Sequence, residues 1–254
     1  MSEARIVEKR KLGEDYIYFV LREPVIASLA SPGQFVMVKA GEGWDPLLRR
    51  PLGILWAEDE HFALLFKVVG RGTGILRNLD CGNWLDVIGP LGNSFSWNDN
   101  GPFLLIAGGR GLVPIYFLAH ALFKRSLPFV FCVGFKVKEE LDLLQLLEGK
   151  NWNVAVACEE KDEKVFCGTV LDVARMQLRQ NSFSKIYVCG PHDLLHSMAV
   201  DAEFAGLPIE ASFEALMGCG YGLCLSCVLR KKSGEGYFHI CKEGPVIALE
   251  EVSW

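Results

Sequence analysis

Four cysteines crowd the last forty residues of the chain as Cys219-x4-Cys224-x2-Cys227-x13-Cys241. This spacing of four thiolates is the one that holds a two-iron two-sulfur (2Fe-2S) cluster. The chain must then wrap a tight loop around the group. Gly218, Gly220 and Gly222 meet that demand, because residues without a Cβ let backbone approach sulfur and aim N–H groups at it. A structural zinc site is the alternative, although zinc more often uses two Cys-x2-4-Cys knuckles held well apart. The other five thiols, Cys81, Cys132, Cys158, Cys167 and Cys189, are scattered, mostly inside apolar runs. They read as core by default.

Nine cysteines are an odd number for a disulfide framework. The start, Met1-Ser2-Glu3-Ala4-Arg5, runs into charged residues rather than an apolar leader, so the expected location is cytoplasmic. The most apolar stretch, Phe103 to Phe123, is interrupted by Gly108-Gly109-Arg110-Gly111 and Pro114, which fits a strand, a turn and a buried helix better than a membrane span. Half of the 254 residues are apolar and 22% are charged, which excludes disordered, collagenous and mini-protein classes. With 26 Lys and Arg against 31 Asp and Glu and no basic run, the chain lacks the electrostatic footprint of a nucleic-acid binder.

Three regimes follow one another along the chain. From Arg5 to about Ser96, short alternating runs such as Tyr16-Ile17-Tyr18-Phe19-Val20 and Gln34-Phe35-Val36-Met37-Val38 are punctuated by Gly and Pro turns, which predicts an antiparallel β-barrel. From about Gly101, apolar strands alternate with helical segments: Phe103 to Ala107 before Val113 to Phe123, Phe129 to Val133 before Leu141 to Leu147, Val154 to Ala157 before Val170 to Leu178, and Lys185 to Val188 before Asp193 to Phe204. That rhythm predicts a parallel α/β sheet. The Gly/Cys-rich tail makes a small C-terminal domain. The expected class is α+β multidomain, divided at 1–99, 100–210 and 211–254.

Each of the first two regimes carries a candidate anion site. Gly108-Gly109-Arg110-Gly111-Leu112-Val113-Pro114 follows a strand and heads a helix, where backbone N–H groups and the helix dipole suit a pyrophosphate. It is not the full dinucleotide fingerprint, since Pro114 stands where a third glycine would be, and an ordinary tight turn explains it about as well. Cys189-Gly190-Pro191 ends another strand and would face the same crevice; a buried structural thiol is its plainer explanation. In the barrel, Arg49-Arg50-Pro51-Leu52-Gly53 and Gly70-Arg71-Gly72-Thr73 suit a diphosphate through charge-assisted bonds, or are solvated basic residues and a hairpin turn.

Taken together with Gly89-Pro90-Leu91-Gly92-Asn93 and the cysteine tail, these segments stand in the order seen in the ferredoxin reductase superfamily, which the chain resembles over essentially its whole length. The stretch from Glu214 to Cys227 and Cys241-Lys242-Glu243-Gly244-Pro245-Val246 resemble the electron-transfer subunits of NAD-linked, two-subunit dihydroorotate dehydrogenases. The resemblance implies that Arg50, Pro51, Leu52, Gly53, Leu65, Phe66, Lys67, Gly72 and Thr73 hold FAD. It implies that Gly108, Gly109, Gly111, Gly190 and Pro191 receive NAD, that Cys189 serves catalysis, and that Cys219, Cys224, Cys227 and Cys241 ligate the 2Fe-2S cluster. It also implies a partner, an FMN-containing catalytic subunit that forms orotate for pyrimidine (UMP) biosynthesis, in a heterotetramer of two of each chain.

Two departures from that pattern stand out. Gly53 replaces the usual Ser or Thr, and Arg110 occupies a turn position that is often glycine. Gly134-Phe135-Lys136 leaves the choice between NAD and NADP open. A reductase subunit of the same build serving a hydrogenase or sulfur-reducing complex is the rival within the class. A non-redox, zinc-stabilised nucleotide-binding regulator is the rival outside it.

Overall fold

The computed structural model describes residues 2–41, 43–97 and 100–254. The first part is a closed six-stranded barrel built from β1 (Ser2–Leu12), β2 (Tyr16–Arg22), β3 (Phe35–Val38), β4 (Arg50–Glu58), β5 (His61–Lys67) and β6 (Trp84–Leu91), ordered β1-β2-β5-β4-β3-β6. Every pairing is antiparallel, and Phe19, Val36, Ile54, Phe62 and Leu64 fill its interior. Each such side chain contributes about 1.5–3 kcal/mol of burial. Two short helices, α1 (Pro24–Leu29) and α2 (Arg71–Arg77), sit on its connections.

The second part is a seven-stranded sheet. Its elements are β7 (Phe103–Gly108), α3 (Leu112–Lys124), β8 (Phe129–Phe135), β9 (Asn153–Cys158), β10 (Phe166–Cys167), α4 (Val170–Gln180), β11 (Lys185–Cys189), α5 (His192–Val200) and β12 (Ile209–Ser212). Strand order is β10-β9-β8-β7-β11-β12, all parallel. The chain therefore leaves β7 toward β8 on one side and returns to β11 on the other, so the crevice beyond the ends of β7 and β11 is the switch point where such sheets take ligands. The apolar run that imitates a membrane segment resolves into β7 and α3. Helix α3 is buried nearly all round because it packs between the sheet and β4 of the barrel.

The second crossover is a 3-10 helix, Lys138–Leu146, rather than the α-helix expected from Leu141 to Leu147. Its buried residues, Leu143 and Leu146, are three apart and align on a three-per-turn helix. In the tail, β13 (Val228–Arg230) and β14 (Tyr237–His239) form a hairpin. Then β15 (Val246–Ala248) joins the edge of the large sheet antiparallel to β12. The boundary expected after residue 210 thus falls inside β12; the one expected after residue 99 falls outside the described residues. Cys132, Cys158 and Cys189 are buried, whereas Cys81 and Cys167 are exposed and do not belong to the core. Among the described residues no helix is long and apolar enough to cross a membrane.

Candidate functional site

Two cavities and one loop bring the chemistry-bearing residues together. A cavity of about 410 Å³ between barrel and sheet is lined by Arg50, Pro51, Leu52, Gly53, Leu65, Phe66, Lys67 and Thr73 from the barrel. From the other side come Arg110, Val113, Cys189 and the segment Ser212 to Met217. The adjacent arginines part company. Arg49 turns back to Asp86, its Nη2 2.6 Å from Oδ2, while Arg50 lies across the first turn of α2, so that a Cβ on Gly72 would strike Arg50 Nε and Cζ. Thr73 Oγ1 accepts from the Val69 and Gly70 N–H groups and donates to the Gly70 carbonyl. Its hydroxyl shapes the turn, while the Arg50 guanidinium, which donates from Nη1 to the Leu48 carbonyl, lines the cavity. Gly53 has its own neighbour: a Cβ there would stand 3.1 Å from Val113 Cγ1, so Val113 takes up room that a hydroxyl residue would need.

The second cavity, about 790 Å³, opens along the ends of the parallel strands and is lined by Gly108, Gly109, Arg110, Gly134, Lys136, Glu159 and Pro191. Here the glycines are required by contact. A Cβ on Gly111 would collide with the Cys189 carbonyl and stand 2.7 Å from Gly190 N. One on Gly190 would stand 2.5 Å from Leu194 Cδ2. Gly109 is different: its φ is +53° with open space beside it, which a residue lacking a Cβ adopts freely. The two motifs read from the sequence thus form one surface, with β11 carrying Cys189 beside Ala107 of β7.

Cys189 is buried and lines the first cavity. Burial, and then the nearby Glu214 carboxylate, push its thiol far above the usual range, so it is a neutral S–H at physiological pH. Cys189→Ala is expected to slow hydride exchange about tenfold while leaving flavin and iron content unchanged. Equal rapid-reaction rates in variant and parent would return Cys189 to a packing role.

A polar group that sequence reading missed joins the two cavities. Glu140, from the 3-10 crossover, accepts from Tyr16 Oη at 2.9 Å and pairs with Lys67 Nζ at 3.1 Å. Burial and Glu140 together raise the Tyr16 hydroxyl well above its ordinary pKa. No local pattern could pair residues more than seventy positions apart.

The cysteine loop sorts its thiols into two contacting pairs, Cys219 with Cys224 and Cys227 with Cys241. Backbone N–H groups point at the sulfurs: Gly222 N to Cys241 Sγ at 3.1 Å, Leu223 N to Cys219 Sγ at 3.3 Å, and Cys241 N to Cys227 Sγ at 3.4 Å. Gly220 and Gly222 both have φ of +86°. The Ser226 hydroxyl, then backbone N–H groups, lower the Cys224 thiol to about 6, while burial raises Cys241 to about 12. Two thiol pairs with N–H donors suit two irons better than one tetrahedral ion.

Asn93 staples this tail to the barrel. Its N–H donates to the Gly244 carbonyl, its Nδ2 to those of Glu243 and Val246, and its Oδ1 accepts from Val246 N. Gly92 lies so close that a Cβ would stand 2.6 Å from Pro245 Cδ.

A closed barrel, a parallel sheet with a crevice at its strand ends and a cysteine loop of cluster spacing give the chain the build of the ferredoxin reductase class. Comparisons with known proteins narrow this. Residues 214–253 match the iron-sulfur cluster binding domain of dihydroorotate dehydrogenase B. The electron transfer subunit of dihydroorotate dehydrogenase B (NAD(+)) from Geobacillus thermodenitrificans is 33% identical over 97% of this chain and 96% of its own length. The same subunit from Desulforamulus reducens is 34% identical over 99% and 98%. Among solved structures, a chain of the NADH-dependent reduced ferredoxin-NADP oxidoreductase superposes with a TM-score of 0.86 at 28% identity, over 100% of this chain and 91% of that one. The chain belongs to the family of dihydroorotate dehydrogenase B (NAD(+)) electron transfer subunits.

Proposed function

We propose that this chain takes electrons from an FMN-containing, dihydroorotate-oxidising subunit at its cysteine loop and delivers them to NAD+ at the crevice of its parallel sheet. The observation that carries this reading is the segment Phe213 to Met217. It lines the cavity between barrel and sheet and runs without a break into Gly218 and Cys219, so cavity and cysteine loop are neighbours. A 2Fe-2S cluster exchanges single electrons, a nicotinamide takes hydride, and FAD converts between the two.

The residues divide the work. Arg50 and the first turn of α2 offer charge and N–H groups to the FAD diphosphate, and Gly53, Leu65, Phe66 and Lys67 line the wall beside it. Gly108, Gly109, Gly111, Gly190 and Pro191 shape the crevice for the NAD diphosphate. Cys189 presents a neutral thiol to the first cavity. Cys219, Cys224, Cys227 and Cys241 hold the cluster, with Leu223 and Tyr221 exposed around it as an apolar rim for the partner. The assembly proposed is a heterotetramer of two of each chain.

Anaerobic titration of the purified chain with NADH is expected to bleach flavin and iron–sulfur absorbance together, and addition of the catalytic subunit to yield dihydroorotate-dependent NAD+ reduction. A flavin that bleaches beside an unchanged iron–sulfur band would refute the order of carriers. Dihydroorotate failing to drive a preparation that NADH fully reduces would favour another partner for the same build, a reading supported by the 28% identity to the reduced ferredoxin-NADP oxidoreductase chain.

A further inference from the structure

Two cations stand on the wall shared by the two cavities, Lys67 and Arg110. Lys67 is committed: its partner Glu140 is largely buried and also accepts from Tyr16. Arg110 is held loosely. Its Nη2 lies 3.5 Å from Glu214 Oε2, and both side chains are more than half exposed, a setting in which an ion pair is worth little. Arg110 belongs to the glycine turn, whereas Glu214 belongs to the segment that leads to the cysteine loop, so the pair spans the mouth between the cavities.

We propose that Arg110 is a second anchor for the diphosphate of the pyridine dinucleotide, and that Glu214 competes with the nucleotide for it. This rests on the crevice being the NAD site. A guanidinium on the turn beside that crevice can meet a diphosphate with two parallel charge-assisted bonds. The weak carboxylate contact is exchanged for the stronger one. Binding thereby releases Glu214, five residues before Cys219.

The test is calorimetric binding of NAD+, ADP-ribose and AMP to the FAD-loaded chain, which reads affinity without turnover. Arg110→Ala should weaken NAD+ and ADP-ribose about tenfold, and AMP, which lacks the second phosphate, less than twofold. Glu214→Gln should act in the opposite direction, tightening NAD+ and ADP-ribose about threefold, because it removes the competitor. The double variant should bind no more tightly than Arg110→Ala alone. If Glu214→Gln weakens binding as Arg110→Ala does, the pair is a structural brace and the proposal falls. It falls equally if neither variant changes ADP-ribose affinity. If the parent binds neither NAD+ nor ADP-ribose, the assignment of the crevice itself is wrong.

Discussion

Cys224→Ser is expected to abolish the visible and paramagnetic signature of the cluster and to cut dihydroorotate-dependent NAD+ reduction at least about 100-fold, since a missing thiolate opens one iron of the centre. NADH oxidation with an artificial acceptor that draws on flavin should stay within about twofold of the parent, because that route does not use the cysteine loop. Cys224 suits the experiment by its placement. It is exposed, and its Sγ contacts the Cys219 pair and Ser226 Oγ, at 3.1 Å, so the substitution disturbs no core packing. Cys227 and Cys241 are buried and would confound loss of metal with loss of fold. Should the flavin-level activity vanish while FAD remains bound, the proposed sequence of carriers is wrong.

The second large effect concerns Gly111. Its φ of −59° is ordinary helix geometry, so alanine is conformationally acceptable there, yet its Cβ would collide with the Cys189 carbonyl. Either the ends of β7 and β11 separate or α3 tilts away from the sheet. Gly111→Ala is expected to cost about 3 kcal/mol in chemical denaturation and to weaken NAD+ binding severely, as overpacking against rigid backbone does. Gly109→Ala is the contrast. It faces open space at a φ of +53° and should cost only about 1 kcal/mol, the penalty of a left-handed residue. A larger cost at Gly109 than at Gly111 would mean that contact with Cys189-Gly190 does not fix the crevice.

Much of this molecule was legible in the sequence wherever its signals are local. The alternation in β2 and β3, the strand-to-helix rhythm after Gly101 and the thiol spacing each fit within a few residues, and they placed the barrel, the parallel sheet and the loop. The reading failed where structure depends on distant partners. The strand β15 is three residues long, too short to show alternation, and exists because β12 offers it an edge. The 3-10 crossover carries leucines at both helical spacings, and packing chose between them. Asn93 looked like part of a family signature, and only its bonds to Glu243, Gly244 and Val246 reveal it as a joint. Lys67 lines the first cavity, where the resemblance puts FAD. Its further ion pair with Glu140, which ties the barrel to the 3-10 crossover, joins residues too far apart in the chain for any local pattern to show.

That joint bears on how the molecule could be rebuilt. A fragment ending at residue 210 would not simply be a reductase without metal: it would cut β12 after its first two residues, lose the pairing of β12 with β15 and half of its register with β11, forfeit four hydrogen bonds at Asn93 and offer an open edge for intermolecular stacking. The redox lobe is a keystone rather than a detachable cartridge, and any attempt to graft this reductase elsewhere must carry the tail along or furnish a surrogate strand.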